Sequence, residues 1–137
     1  MAEDSSKSLT ILLVDDDALV RRVFARILTA AGHLVVEAAH VNEAMGKLGA
    51  SRFDLVFTDV YMPDADGFDV LRQIRAARPS LPVVVMSGRF GIDPFSKAMM
   101  AMLIKLGAAC TLVKPARCAD ILSALRCAIS LRPEDQT

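Results

Sequence analysis

Five short runs along the chain are largely apolar and lack strict alternation with polar residues: Leu9–Val14, His33–Ala38, Leu55–Thr58, Pro82–Met86 and Cys110–Val113. Strands that show apolar side chains to both sides are buried on both faces, as in a parallel sheet covered by helices. The intervals between them carry apolar residues at helical spacing. Residues 18–31 place Val20, Phe24, Ile27, Leu28 and Ala31 on one side, with Gly32 as a stop. Asn42–Leu48 reads as a short, weaker helix, and Phe68–Ala77 as a helix with Val70, Leu71 and Ile74 inward. Asp93-Pro94 reads as a cap and first turn, followed by an inward stripe of Phe95, Met99, Met102, Leu103 and Leu106. Ile121, Leu122, Leu125 and Ile129 stripe a last helix. Five strand–helix units in one core predict an α/β fold, a doubly wound parallel sheet with right-handed crossovers and helices on both faces.

In such a sheet the functional crevice lies beyond the carboxyl ends of the strands. Asp15, Asp16 and Asp17 follow the first strand, Asp59 the third, Ser87 and Gly88 the fourth, and Lys114 and Pro115 the fifth. Clustered carboxylates repel one another unless a cation joins them. Oxygen ligands without histidine or cysteine select a hard ion, Mg²⁺ first. Asp59 is then a candidate nucleophile toward phosphorus, with Lys114 and Ser87 contacting phosphoryl oxygens. Asp17 is expected to cap the first helix, and Asp64 and Asp66 are read as loop and cap residues, with Gly67 giving the turn into the next helix.

Composition narrows the reading. The 137 residues fit one domain. Lys+Arg and Asp+Glu both number 16, which argues against a nucleic-acid-coating surface. A mean hydropathy of +0.40 is high, yet no apolar run is long enough to span a bilayer. MAEDSSKS, at the N-terminus, carries acids and no apolar core, so it is not read as a signal peptide, and a cytoplasmic location is expected. Cys110, Cys118 and Cys127 show no Cys-x-x-Cys spacing and are expected to be small core residues in a reducing compartment.

ILLVDDD at 11–17, FTDVYMPDADGFDVL at 57–71, VVVMSG at 83–88 and LVKP at 112–115 together resemble the receiver domain of two-component response regulators. Singly these motifs are weak; four in order, each at a strand end, are specific. The resemblance covers about residues 9–131, with tails expected at 1–8 and 132–137. It implies a flavodoxin-like sheet in the order 2-1-3-4-5. Asp59 matches the phosphoacceptor, Asp16 the direct Mg²⁺ ligand, Asp15 its partner acting through water, and the Tyr61 backbone carbonyl a third ligand. Ser87 matches the switch hydroxyl and Lys114 the phosphate-binding lysine, with a cis bond to Pro115.

The implied role is a stand-alone phosphorylation switch, not an enzyme beyond its own phosphorylation and slow dephosphorylation. Its phosphate would come from a histidine kinase or phosphotransfer protein. An unknown downstream protein would bind at the fourth helix, fifth strand and fifth helix, and a homodimer stays open; neither nucleic acid nor membrane is expected as a direct partner. One alternative is a phosphorylation-independent adaptor. Another is a nucleophilic-aspartate enzyme, which would need a second carboxylate where Tyr61 stands.

Two positions depart from the family pattern. Thr111 stands three residues before Lys114, where the family has an aromatic switch residue, and Phe90 is a candidate substitute. The interval from Ser87 to Lys114 is longer than usual, extending the loop at Arg89–Asp93, the fourth helix, or both. Tyr61 is also expected to slow loss of phosphate by its bulk.

Overall fold

The computed structural model describes residues 7–62, 65–88 and 94–130. Most of the expected N-terminal tail, all of the C-terminal one, the Arg89–Asp93 loop and Asp64 lie outside the described residues, as does Phe90. The elements in chain order are β1 (Thr10–Val14), α1 (Ala18–Ala30), β2 (Leu34–Ala38), α2 (Val41–Ala50), β3 (Leu55–Asp59), β4 (Tyr61–Met62), β5 (Ala65–Asp66), α3 (Gly67–Ala77), β6 (Val83–Ser87), α4 (Pro94–Lys105), β7 (Cys110–Val113) and α5 (Cys118–Ser130). The five-stranded sheet runs β2-β1-β3-β6-β7, all parallel. With β6 and β7 as the fourth and fifth large strands, this is the order the resemblance implied. The two-residue strands β4 and β5 form a small antiparallel ladder after Asp59 that periodicity did not predict.

Alternate residues of β1, β3 and β6 feed opposite cores, whereas the edge strand β7 buries Cys110 and Leu112 and exposes Thr111 and Val113. Leu12, Val56, Val83 and Val85 pack with Leu48, Leu71, Ile74 and Leu103 under α2, α3 and α4. Ile11, Leu13, Phe57 and Val84 pack with Phe24, Leu28, Ile121 and Leu125 under α1 and α5. Phe24 meets Phe57 edge-on, with ring centroids 6.3 Å apart. This two-sided burial explains the unbroken apolar strands, and it holds the strand ends in fixed register.

Helix ends follow local chemistry. Asp17 caps α1, its carboxylate accepting from the Leu19 N–H at 2.9 Å, and Gly32 takes φ +100° beyond the last turn. In α2 the His40 ring accepts from the Glu43 N–H, while Glu43 accepts from the Ala39 N–H, a reciprocal cap. Asp66 caps α3 through the Asp69 N–H.

Three expectations are corrected. In α4, Met100 and Leu103 are buried, whereas Phe95 and Met102, and Leu106 just past the helix end, are exposed. Apolar residues occur on several sides of this helix, so spacing alone left its inward phase undetermined. Of the cysteines only Cys110 is a core residue; it is disulfide-bonded to Cys127 on the exposed side of α5, and Cys118 is free and exposed. Cys127 lies off the buried stripe of Ile121, Ala124, Leu125 and Ala128, which is why it reaches β7 from the side. Gly67 serves close packing rather than a turn, since a Cβ there would lie 2.8 Å from Val60 Cβ.

That contact separates two glycines. Gly67→Ala is expected to destabilise the fold by about 1–3 kcal/mol through overpacking against Val60. Gly46→Ala, exposed in α2 with open space around its Cβ, is expected to stabilise it by up to about 1 kcal/mol. Urea unfolding of the two variants beside the parent measures both.

Candidate functional site

The strand order brings the chemistry together. β1 and β3 are neighbours, so the chain leaving Val14 sets Asp15 and Asp16 beside Asp59 at the end of β3. β6 lies on the other side of β3 and ends at Ser87, opposite Val113 of β7. The Lys114 N–H donates to the Ser87 carbonyl at 2.8 Å, which fixes the start of the lysine side chain.

Carboxylate oxygens of Asp15, Asp16 and Asp59 lie within 4.8 Å of one another. Asp15 and Asp59 are buried, and Asp16 is exposed. The Lys114 ammonium donates to Asp15 Oδ2 at 2.6 Å and stands 3.6 Å from Asp59 Oδ1. Asp15 Oδ1 also accepts from the Asp17 N–H, and Asp59 Oδ1 from the Val60 N–H at 2.9 Å. Burial raises the Asp59 pKa to about 6, and the charge of Asp15 adds to the rise. Lys114 and the N–H groups of Tyr61 and Val60 oppose it without cancelling it. Among the described residues, three carboxylates face one lysine here, more negative charge than that lysine offsets.

The Ser87 hydroxyl is fully buried and has no hydrogen-bond partner. A buried hydroxyl left unpaired is costly and points to a group that is absent. All donors in the cluster are oxygens, which suits a hard divalent cation such as Mg²⁺. The residues present fit that ion.

Asp15, Asp16, Asp59, Ser87 and Lys114, all named from the sequence, converge on one rim. Tyr61 stands at its edge, with its hydroxyl 3.7 Å from the Met99 sulfur on α4. The Lys114–Pro115 bond is cis. Thr111 is exposed on β7, and no aromatic ring occupies that position. Sequence reasoning missed Arg21, whose guanidinium donates to the Asp15 carbonyl at 2.7 Å and pairs with Glu37 at 3.1 Å. Its one signal was a basic residue four positions after the helix cap, facing back toward the acids.

A family profile described as the response regulator receiver domain matches residues 11–126. Among curated proteins, the DNA-binding transcriptional regulator NtrC of Rhizobium meliloti (strain 1021) is 45% identical over 80 residues, 58% of this chain and 16% of that protein. Response regulator MprA of Mycobacterium bovis is 34% identical over 129 residues, covering 93% of this chain and 54% of that protein. The chain thus spans less than a fifth of the NtrC sequences of Rhizobium meliloti and Proteus hauseri, at 16% and 18%. Among solved structures, the receiver domain of NtrX from Brucella abortus superposes with a TM-score of 0.80 at 28% identity, covering 88% of this chain and 98% of that one. Chemotaxis protein CheY4 of Vibrio cholerae gives 0.77 at 28% identity over 89% and 99%. With a match across most of its length and the same sheet order, the chain belongs to the response regulator receiver domain family of two-component signal transduction, whose members act as phosphoacceptor switches.

Proposed function

We propose that this chain accepts a phosphoryl group on Asp59 from a phosphohistidine of a histidine kinase or phosphotransfer protein and signals by changing what it binds. The observation that carries this reading is the clustering of three carboxylates around one lysine at a buried strand end. Like charges so close need a cation and a reason, and phosphoryl transfer supplies both.

Asp59 would attack phosphorus through a carboxylate oxygen, forming the acyl phosphate as the phosphorus–nitrogen bond of the donor breaks. Asp15, Asp16, Asp59 and the Tyr61 carbonyl would hold Mg²⁺, which when bound neutralises phosphoryl and carboxylate oxygens together. Lys114 would shift from Asp15 toward a phosphoryl oxygen, and Ser87 would give its unpaired hydroxyl to another. Leu19 and Val23 are exposed on α1, which starts directly after the acidic loop, and offer the donor an apolar footing. Among the described residues no helix is long and apolar enough to cross a membrane, and we place the reaction in the cytoplasm, where such donors act.

Output would pass through α4, β7 and α5. Phe95, Met102, Ile104, Leu106 and Val113 are exposed there and offer a partner apolar contacts. The exposed Thr111 favours a second reading, an adaptor that binds through this face without phosphate.

Incubation with Mg²⁺ and a small phosphodonor, followed by intact mass, separates the two. The switch gains one phosphate, Asp59→Asn gains none, and chelation of Mg²⁺ abolishes the gain. Lys114→Ala is expected to slow it on the order of a hundredfold. An unmodified parent under saturating donor would leave the adaptor.

Tyr61→Ala is expected to shorten the lifetime of the phosphorylated form severalfold, because the half-exposed ring stands at the site's edge. An unchanged half-life would remove Tyr61 from that role.

The raised Asp59 pKa has a definite sign in stability. Folding favours its protonated form, so the metal-free protein loses up to roughly 3 kcal/mol on this account as pH rises through the interval from 3.8 to about 6. At pH 7 Mg²⁺ is expected to raise Tm, and at pH 4 to do little. Asp59→Asn is expected to raise the metal-free Tm at pH 7 and to blunt the response to Mg²⁺; differential scanning calorimetry reads all of these.

A further inference from the structure

We propose that Cys110 and Cys127 form a reversible thiol–disulfide site whose oxidation state sets the mobility of the segment carrying Lys114. The bond joins β7 to α5 across a sequence separation of 17. The loop it closes contains the rest of β7, Lys114, Pro115 and the first turns of α5. Between those elements the chain is held by the Lys114 N–H on Ser87, by the Lys114 ammonium beside Asp15 and Asp59, and by Asp120, whose carboxylate accepts from the Arg117 N–H at 3.1 Å. A cross-link at the two ends of such a loop restricts it more than these contacts do alone.

The two sulfurs are unequal. Cys110 is buried and Cys127 exposed. Both line an open pocket of about 470 Å³ with Thr111, Val113, Asp120 and Ser123. Thr111, short where the family carries an aromatic ring, keeps that pocket accessible. A small thiol therefore reaches Cys127 first.

The exchange follows from that access. A thiolate of glutathione or a small dithiol attacks Cys127 Sγ, the Cys110–Cys127 bond breaks, and Cys110 leaves as a thiolate that takes up a proton. A second thiolate attacks the mixed disulfide, releasing Cys127 as a thiol and the reductant as its own disulfide. Two electrons have passed from the reductant to the protein. The reverse sequence, starting from Cys127 and a glutathione disulfide, closes the bond. In the cytoplasmic setting proposed above, a protein disulfide is more often redox-active than a permanent brace. The importance of Lys114 rests on the proposed function; the chemistry of the cysteines does not.

The test uses the whole chain in glutathione buffers of graded ratio, with free thiols alkylated and counted by intact mass. One thiol, Cys118, is expected at the oxidised end and three at the reduced end, the other two changing together; Cys118→Ser should give none and two. Three reactive thiols at every ratio, or glutathione left on Cys127 beside a free Cys110, would overturn the site. Amide hydrogen exchange over residues 112–120 is expected to run about tenfold faster in the reduced form, with α1 unchanged. Cys127→Ala should exchange fast in both buffers. Equal exchange in the two forms would overturn the link to Lys114. Neither readout needs a phosphodonor, so a chain that passes both yet gains no phosphate on Asp59 would refute the function while leaving the redox site intact.

Discussion

Two buried carboxylates and a third at the surface share the end of a sheet with, among the described residues, one ammonium, and much of the local structure answers to that imbalance. Lys114 crosses from β7 to reach Asp15 at 2.6 Å and Asp59 at 3.6 Å. The N–H groups of Asp17 and Val60 turn toward the acids, and Arg21 braces the Asp15 carbonyl from the first helix. These contacts do not cancel the cost of burying the charge, and burial, with the charge of Asp15 added, still raises the Asp59 pKa to about 6. A site left short of positive charge is suited to a cation.

The sheet makes this arrangement possible. Parallel register puts Asp59 next to Met86 and Ser87 next to Val113, and cores on both faces prevent the strands from slipping. Gly67 lets the helix after the site pack against Val60, one residue from Asp59. Carboxylates that would spread apart on a looser scaffold are held within 4.8 Å of one another. The same rigidity links the site to β7, because Lys114 is the next residue after that strand.

Strands and site residues were legible because each is written locally: an apolar run ends, and a charged or hydroxyl residue follows. Asp15, Asp59, Ser87 and Lys114 needed the topological rule about strand ends and little else. The inward phase of α4 was not legible, since Met99, Met100, Met102, Leu103 and Ile104 offer several apolar faces and only packing selects Met100 and Leu103. The disulfide was hidden for a related reason. Cys110 and Cys127 become neighbours through the docking of α5 on β7, and spacing along the chain carries no trace of it. Arg21 was missed because its partners are a backbone carbonyl and Glu37 on β2. The role of Gly67 was misread because a close approach by Val60 looks, in sequence, like any turn before a helix.

The most direct test is a crystal structure with Mg²⁺ and a beryllium fluoride adduct in place of the phosphoryl group. The account predicts the metal among the oxygens of Asp15, Asp16 and Asp59, the Lys114 ammonium moved onto a fluoride, and the Ser87 hydroxyl paired at last. A metal bound elsewhere, or Lys114 still on Asp15 with Ser87 unpartnered beside a modified Asp59, would contradict it.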